Sequence, residues 1–328
     1  MKKLLWILCS TLLVVACSED EERSNIAGIV LSDTDITLVN GERYTLSAEV
    51  STLDGTECKV AWASSDGSVV TVDENGNLTA GQTGQAQIYA MAEDQQAVCH
   101  VTVTSPQPAQ VGDYYFSDGT YAAELNPKKQ CIGIVFQVDQ QANDRSDYSQ
   151  TGIGARSCHG YVVALQDAGT DECMWGVYGY EIGLYPVDES GNKIDNFTNN
   201  GADTDWSGFL YTGKITLEAE RNGGFTPDSQ EGYPVGYYTR LFEQQVPAPA
   251  NSSGWFIPAV SQLYAIYELR DQLNAREGMT RLRNKWYWSS SECYALADGS
   301  VNSLSVSAGM IGYRGKFDTA LLRPILAF

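Results

Sequence analysis

KWYWSSSE, Lys285–Glu292, sets two tryptophans around a tyrosine and follows them with three serines and a glutamate. Two readings compete for it: a serine nucleophile held near an acid, or the end of a β-strand. A serine nucleophile needs a base to take its proton and a third group to orient that base, and the base is usually histidine. The chain holds two histidines, His100 and His159, and no Gly-x-Ser-x-Gly elbow. His159 sits next to Cys158 beside a predicted strand, and nothing in the spacing brings it to Ser289. The stretch therefore reads as architecture. Trp286 and Trp288 share one face of a strand, Ser289–Ser291 finish it, and Glu292 binds nearby backbone donors.

The neighbouring segments extend this reading. Upstream, Trp255-Phe256-Ile257-Pro258-Ala259 opens a helix: Pro258 pre-sets the first turn, Leu263, Ile266, Tyr267 and Leu273 recur at helical spacing, and Gly278 is the stop. Arg270 lies on the same face and runs its stem along apolar surface. Downstream, Ser303-Leu304-Ser305-Val306-Ser307 alternates, so that one face is buried and the other shows small hydroxyls. Gly309-Met310-Ile311-Gly312-Tyr313-Arg314-Gly315 follows as a glycine-spaced loop. Aromatic and arginine anchors among small neighbours are the composition of binding surfaces. The candidate ligand-binding residues are therefore Tyr287, Ser303, Ser305, Ser307, Met310, Tyr313 and Arg314. Toward the N-terminus, Val111–Tyr121 reads as a hairpin about a Ser-Asp-Gly turn, and Ile132–Val138 and Gly160–Leu165 read as strands. Residues 167–238 are loop-like, with no sustained period.

Residues 105–110 form a linker in which Pro106 and Pro108 remove backbone donors. Before it, residues 26–104 carry short alternating segments between turn signals, the rhythm of a β-sandwich. Trp62 is its expected core residue, and Asn75-Gly76 supplies the positive φ angles of a tight hairpin. Cys58 and Cys99 are a candidate disulfide between strands of this domain. Cys131, Cys158, Cys173 and Cys293 allow three further pairings, among which the sequence does not choose.

Trp62-Ala63-Ser64-Ser65-Asp66, Val69–Val72, Asn75–Ala80 and Gly84–Ile88 together resemble the bacterial Ig-like group 2 domain over residues 26–104. Such domains are usually spacers or adhesive modules, and the resemblance implies a stalk. Gly254–Pro258 with its helix, Trp286–Glu292, and the terminal Leu322-Arg323-Pro324-Ile325-Leu326-Ala327-Phe328 resemble the collagen-like-protein C-terminal (Lcl-type) family, which is related to the C-type-lectin-like fold. That resemblance spans residues 111–328. Ala259 departs from it, standing where members often carry a helix-capping serine, a loss of about 1 kcal/mol. Val301 and Asn302 replace an Ala-aromatic pair. The implied fold is an all-β Ig-like sandwich followed by an α+β C-type-lectin-like domain. The Glu-Pro-Asn and Trp-Asn-Asp triplets of calcium-dependent lectins are missing, and Asp203-Thr204-Asp205 reads as a solvated acidic loop, so neither a metal nor a cofactor is expected. The Tyr, Ser, Asn and Gly scatter near the C-terminus is also similar to the variable region of retroelement-diversified proteins.

Lys2 and Lys3 precede an apolar run, Leu4–Ala16, too short to span a bilayer. Residues 1–16 read as a signal peptide, and Leu13-Val14-Val15-Ala16-Cys17 resembles the lipobox of bacterial lipoproteins, with Cys17 as the lipidated residue. Residues 17–25 form an acidic tether, similar to tags that accompany export to the cell surface. Formal net charge is −20. That excludes nucleic acid as a partner, since phosphate binding needs clustered Lys and Arg, and leaves the lipid as the only membrane contact. The expectation is an outer-membrane, cell-surface lipoprotein that binds an extracellular glycan or protein, adhesin-like and not an enzyme. The alternatives are a retroelement-diversified display protein, a fibre-tip subunit, or a glycan-processing hydrolase using acidic residues of 167–238, where no carboxylate pair is assignable.

Overall fold

The structure, a computed structural model, describes residues 25–105, 107–188, 190–194, 205–227 and 232–328. The signal segment, Cys17, the tether up to residue 24, and Asp203 and Thr204 lie outside the described residues. The chain divides into two compact units, Met1–Gln107 and Pro108–Phe328. No helix among the described residues is long and apolar enough to cross a membrane.

The first unit is all β, as its alternating segments predict. Its strands are β1 (Ile26–Leu31), β2 (Asp35–Val39), β3 (Arg43–Thr45), β4 (Ala48–Thr52), β5 (Ala61–Ser64), β6 (Val70–Val72), β7 (Asn77–Ala80), β8 (Gly84–Ala92) and β9 (Gln95–Thr104). They form sheets β2-β9-β8-β5 and β3-β7-β6 with a β1-β4 ribbon. Period-two burial of Ala86, Ile88, Ala90 and Ala92 on β8 directs one face inward, where Ile88 joins Leu38, Leu46, Val70, Leu78 and Val101 in the core. Trp62 is only half-buried and packs against this core from its margin. Its indole lies over Gly76, where a Cβ would come within 2.9 Å of the ring and 2.3 Å of the Leu46 carbonyl. Gly76 alone takes a positive φ, +79°, while the Asp73 carboxylate accepts the Asn75 and Asn77 amides. The turn is therefore carried by one left-handed glycine and an Asx cap, not by the two positive φ angles of the tightest hairpins.

The expected Cys58–Cys99 bridge is absent, and both residues are free thiols. Cys99 is buried on β9, Cys58 precedes β5, and β8 lies between those two strands in the sheet, which keeps the sulfurs apart. Cys131, Cys158, Cys173 and Cys293 are free thiols as well.

The second unit mixes sheet and helix. Its elements are β10 (Tyr114–Phe116), β11 (Tyr121–Ala122), β12 (Cys131–Val138), β13 (Gly160–Ala164), β14 (Cys173–Met174), α1 (Gly208–Arg221), α2 (Pro234–Gln245), α3 (Val260–Glu268), α4 (Arg270–Asn274), β15 (Trp286–Glu292), β16 (Ser300–Ser305), β17 (Met310–Gly315), β18 (Thr319–Ala320) and β19 (Ile325–Ala327). Sheet β11-β10-β12-β13-β19 draws strands from both ends of the unit, and the Phe328 ring packs 5.2 Å from Tyr115. Strands β15-β16-β17 form a second sheet and β14-β18 a third.

The expected single helix after Pro258 is two: α3 ends at Glu268, Leu269 separates them and α4 follows, with Arg270 stacked over Tyr267 at 4.1 Å. The region expected to be loop contains α1 and the start of α2. Tyr211, Ile215 and Ala219 bury one face of α1, but neither helix carries a side-chain N-cap or an acidic first turn. α2 does open on Pro234, a helix-start residue, whereas α1 is formed by tertiary packing in place of the usual local start signals.

Candidate ligand-binding surface

The serine run of KWYWSSSE is a bulge. Trp288 pairs with Ser303 and Glu292 with Val301, so β15 holds two more residues than β16 across that span. The bulge is buried, and its backbone and hydroxyls are used locally. Ser289 Oγ donates to the Asn302 carbonyl at 2.6 Å and accepts the Ser291 amide at 3.1 Å. Ser290 N–H donates to the Pro258 carbonyl at 2.8 Å. Ser291 Oγ accepts the Val260 amide at 3.0 Å. The missing serine cap at Ala259 is thus supplied by the neighbouring strand, while Gln262 Oε1 accepts the Ala259 amide.

The strand ends in a buried ion pair. Glu292 accepts the amides of Ile182, Gly183 and Leu184 at 2.7–3.1 Å, and Lys316 Nζ donates to Glu292 Oε1 at 2.6 Å. Both side chains are 0% exposed. Lys316 also donates to the Tyr180 carbonyl and lies 5.1 Å from the Trp175 ring centre. Burial lowers the Lys316 pKa, opposed by the Glu292 charge. Breaking such a pair costs about 3–5 kcal/mol, because it leaves one charge uncompensated in the interior.

This pair fastens three loops, and each loop exposes large apolar side chains. Gly176–Leu184 carries Tyr178 and Tyr180, 61% and 44% exposed; the loop after Glu292 carries Tyr294 and Leu296; Phe317, 57% exposed, follows Lys316. The loops also bond one another directly. Tyr180 N–H donates to the Asp298 carbonyl, Lys316 N–H to Gly299, and Trp175 N–H to Lys316. The Tyr178 ring meets Phe317 edge-on at 5.1 Å and lies against Gly299, where a Cβ would come within 2.7 Å of it. Exposed aromatics on braced loops lose little conformational entropy when they bind, which is what makes tyrosine an anchor in recognition surfaces.

The residues expected to bind ligand are placed otherwise. Tyr287 is fully buried: its hydroxyl accepts the Arg283 amide at 2.9 Å and reaches Asp167 at 3.3 Å, and burial beside that carboxylate pushes its pKa to about 12. Ser303 and Ser305 are buried too. They pair with Trp288 and Trp286, and the Trp286 indole reaches across β16 to Gly312 and Arg314 on β17, covering the serine face. The serines are small because tryptophans lie over them. Ser307, Met310 and Tyr313 are exposed and Arg314 is half-buried. Met310–Gly315 is a strand and not a loop, so Met310 and Arg314 share the Trp286 face while Tyr313 points to the other. These residues do not converge on one surface. Tyr178 and Phe317 do meet, with Tyr180, Tyr294 and Leu296 exposed on the same braced loops, and the sequence signal of the aromatics is a ring beside a glycine or a charge in a loop, as in Gly-Val-Tyr-Gly-Tyr and Gly-Lys-Phe-Asp. Among the described residues no group of His, Cys, Asp and Glu is placed to hold a metal ion.

No curated protein sequence matches the chain. Among solved structures, a fimbrial protein from Bacteroides ovatus ATCC 8483 aligns with 93% of this chain and 71% of its own, at 15% identity and a TM-score of 0.50, a likeness of fold. Domains 4 and 5 of the S-layer protein SbsC align with 24% of this chain and 52% of theirs, at 15% identity and a TM-score of 0.22. An intimin mutant of EHEC O157:H7 aligns with 28% of this chain and 55% of its own, at 18% identity and a TM-score of 0.21. Residues 26–103 match the bacterial Ig-like domain (group 2) family.

Proposed function

We propose that this chain is a cell-surface lipoprotein that holds an adhesin-like binding domain away from an outer membrane on an Ig-like stalk. Cys17 carries the lipid, and the second unit is a C-type-lectin-like domain of the Lcl type that takes an extracellular glycan or protein, without turnover. The observation that carries the binding role is the aromatic platform braced by Glu292 and Lys316. The domain reading is supported by the meeting of its three motifs. Phe256 bridges to Ile325, Tyr287 bridges to Leu321, and Ser290 bonds to Pro258. A second reading, a subunit at the tip of a surface fibre, draws on the fold likeness to the fimbrial protein.

The test is to screen the full chain on glycan and matrix-protein arrays beside a hydrolysis assay on the same ligands. Tyr178→Ala and Phe317→Ala should each weaken binding about tenfold or more, as anchor residues do, while leaving the melting temperature within a few degrees. Unchanged binding in both variants sinks the platform. Turnover of a bound glycan replaces the adhesin by a hydrolase. No binding at all favours the fibre subunit.

A further inference from the structure

A cavity of about 160 Å³ opens between α1 and α2 and shares no residue with the aromatic platform. Two aromatic rings wall it. Trp255 is pinned by its Nε1 donation to the Val246 carbonyl at 2.7 Å and by edge-on packing against Phe242. Phe225 carries the Arg240 guanidinium stacked 3.9 Å from its centre. The polar groups are pre-set. Thr216 and Thr239 donate their hydroxyl protons to the carbonyls of Thr212 and Val235, which leaves their oxygens as acceptors. The Glu243 carboxylate is held by the amides of Ala248 and Trp255, both at 2.9 Å. Arg240 makes no hydrogen bond to a side chain or carbonyl among the described residues, and it lines the cavity.

Three properties narrow the ligand. One guanidinium and one carboxylate cancel, which favours a neutral molecule over an anion or a cation. Three acceptors, on Thr216, Thr239 and Glu243, and one donor, Arg240, line the cavity, which suits hydroxyls, since each can both give and accept a proton. The volume admits one six-membered ring, as a dry cavity of about 150 Å³ admits benzene. We propose that this cavity binds a single neutral pyranose residue of a saccharide, its C–H face on the aromatic walls and its hydroxyls on Thr216, Thr239, Arg240 and Glu243. The proposal rests on the reading of the chain as an extracellular ligand-binding protein, but not on the platform as the binding surface.

The experiment titrates the ¹⁵N-labelled full chain with methyl α- and β-pyranosides of glucose, galactose, mannose and N-acetylglucosamine. It follows the Trp255 indole N–H signal, assigned by its loss in Trp255→Phe. At least one sugar should shift that signal saturably below about 50 mM, the range of weak binding. Arg240→Gln and Thr216→Val should each raise its dissociation constant about tenfold. Arg240 is exposed, so its replacement keeps the fold and isolates the contact. No shift with any sugar, or a shift undiminished in both cavity variants, overturns the proposal. Sugar binding lost in Tyr178→Ala but kept in Arg240→Gln also overturns it, while leaving the adhesin reading and its platform in place.

Discussion

Ser290 and Ser291 are neighbours in one bulge and have opposite roles. The Ser291 hydroxyl satisfies a buried helix-start amide, whereas the Ser290 hydroxyl is buried with no hydrogen-bond partner among the described residues. Removing a needed acceptor costs about 1–3 kcal/mol, and removing an unsatisfied hydroxyl costs little or is stabilising. Urea unfolding should therefore rank Ser291→Ala well below the parent and Ser290→Ala at or above it, and the reverse order would contradict the assigned contacts. At this scale the sequence was legible as to type but not as to partner. Two tryptophans, three serines and no reachable histidine read as architecture. Which serine caps which helix depends on a bulge whose register is set by contacts with Pro258 and Val260, far away in the chain.

The elements show the same division. Helix α3 was visible because Pro258 and a spaced apolar stripe announce it, and the sandwich strands were visible through alternation. Helices α1 and α2 were not, since they begin without side-chain caps and carry glycines inside them, of which Gly236 serves close packing under Phe225 while Gly213 meets open space. Strand β17 was read as a loop because glycine usually marks a turn. Here Gly312 clears room for Trp286. The three braced loops were the least legible elements, because the pair that braces them joins residues distant in sequence. Glu292→Gln should lower unfolding free energy by about 3–5 kcal/mol and should loosen all three loops together. Hydrogen exchange at the Ile182, Gly183 and Leu184 amides reads this directly, and protection unchanged from the parent would show that the pair is not the brace.

At the scale of the whole molecule, burial of many protonated acids fixes an alkaline limit. Burial pushes Cys99 to about 11 and Cys158, Cys173 and Tyr287 to about 12. It raises Tyr148 and Tyr161 as well, whose hydroxyls both donate to Asp144, at 2.8 and 2.6 Å. Unfolded, these groups ionise near their ordinary values of 9.0 and 10.0. The folded chain holds their protons longer, so the stabilisation is complete below about pH 9 and is lost as pH rises, by about 1.4 kcal/mol per group per pH unit inside its window. Lys316 acts in the opposite sense, because its lowered pKa makes the folded state gain as pH rises toward 10.5. The acids outnumber it. The urea midpoint should fall steeply between pH 9 and pH 11, and a steady or rising midpoint would contradict the burial of these groups. The closing strand of the second unit has a kinetic consequence. Val162 in β13 pairs with Leu326 in β19, so the five-stranded sheet stays incomplete until residues 325–327 are available, whereas the long β8–β9 hairpin of the first unit closes locally. Contacts of such long sequence separation slow folding. During synthesis the first unit should reach its native form first, leaving the second unit open, and exposed to proteases, for longer.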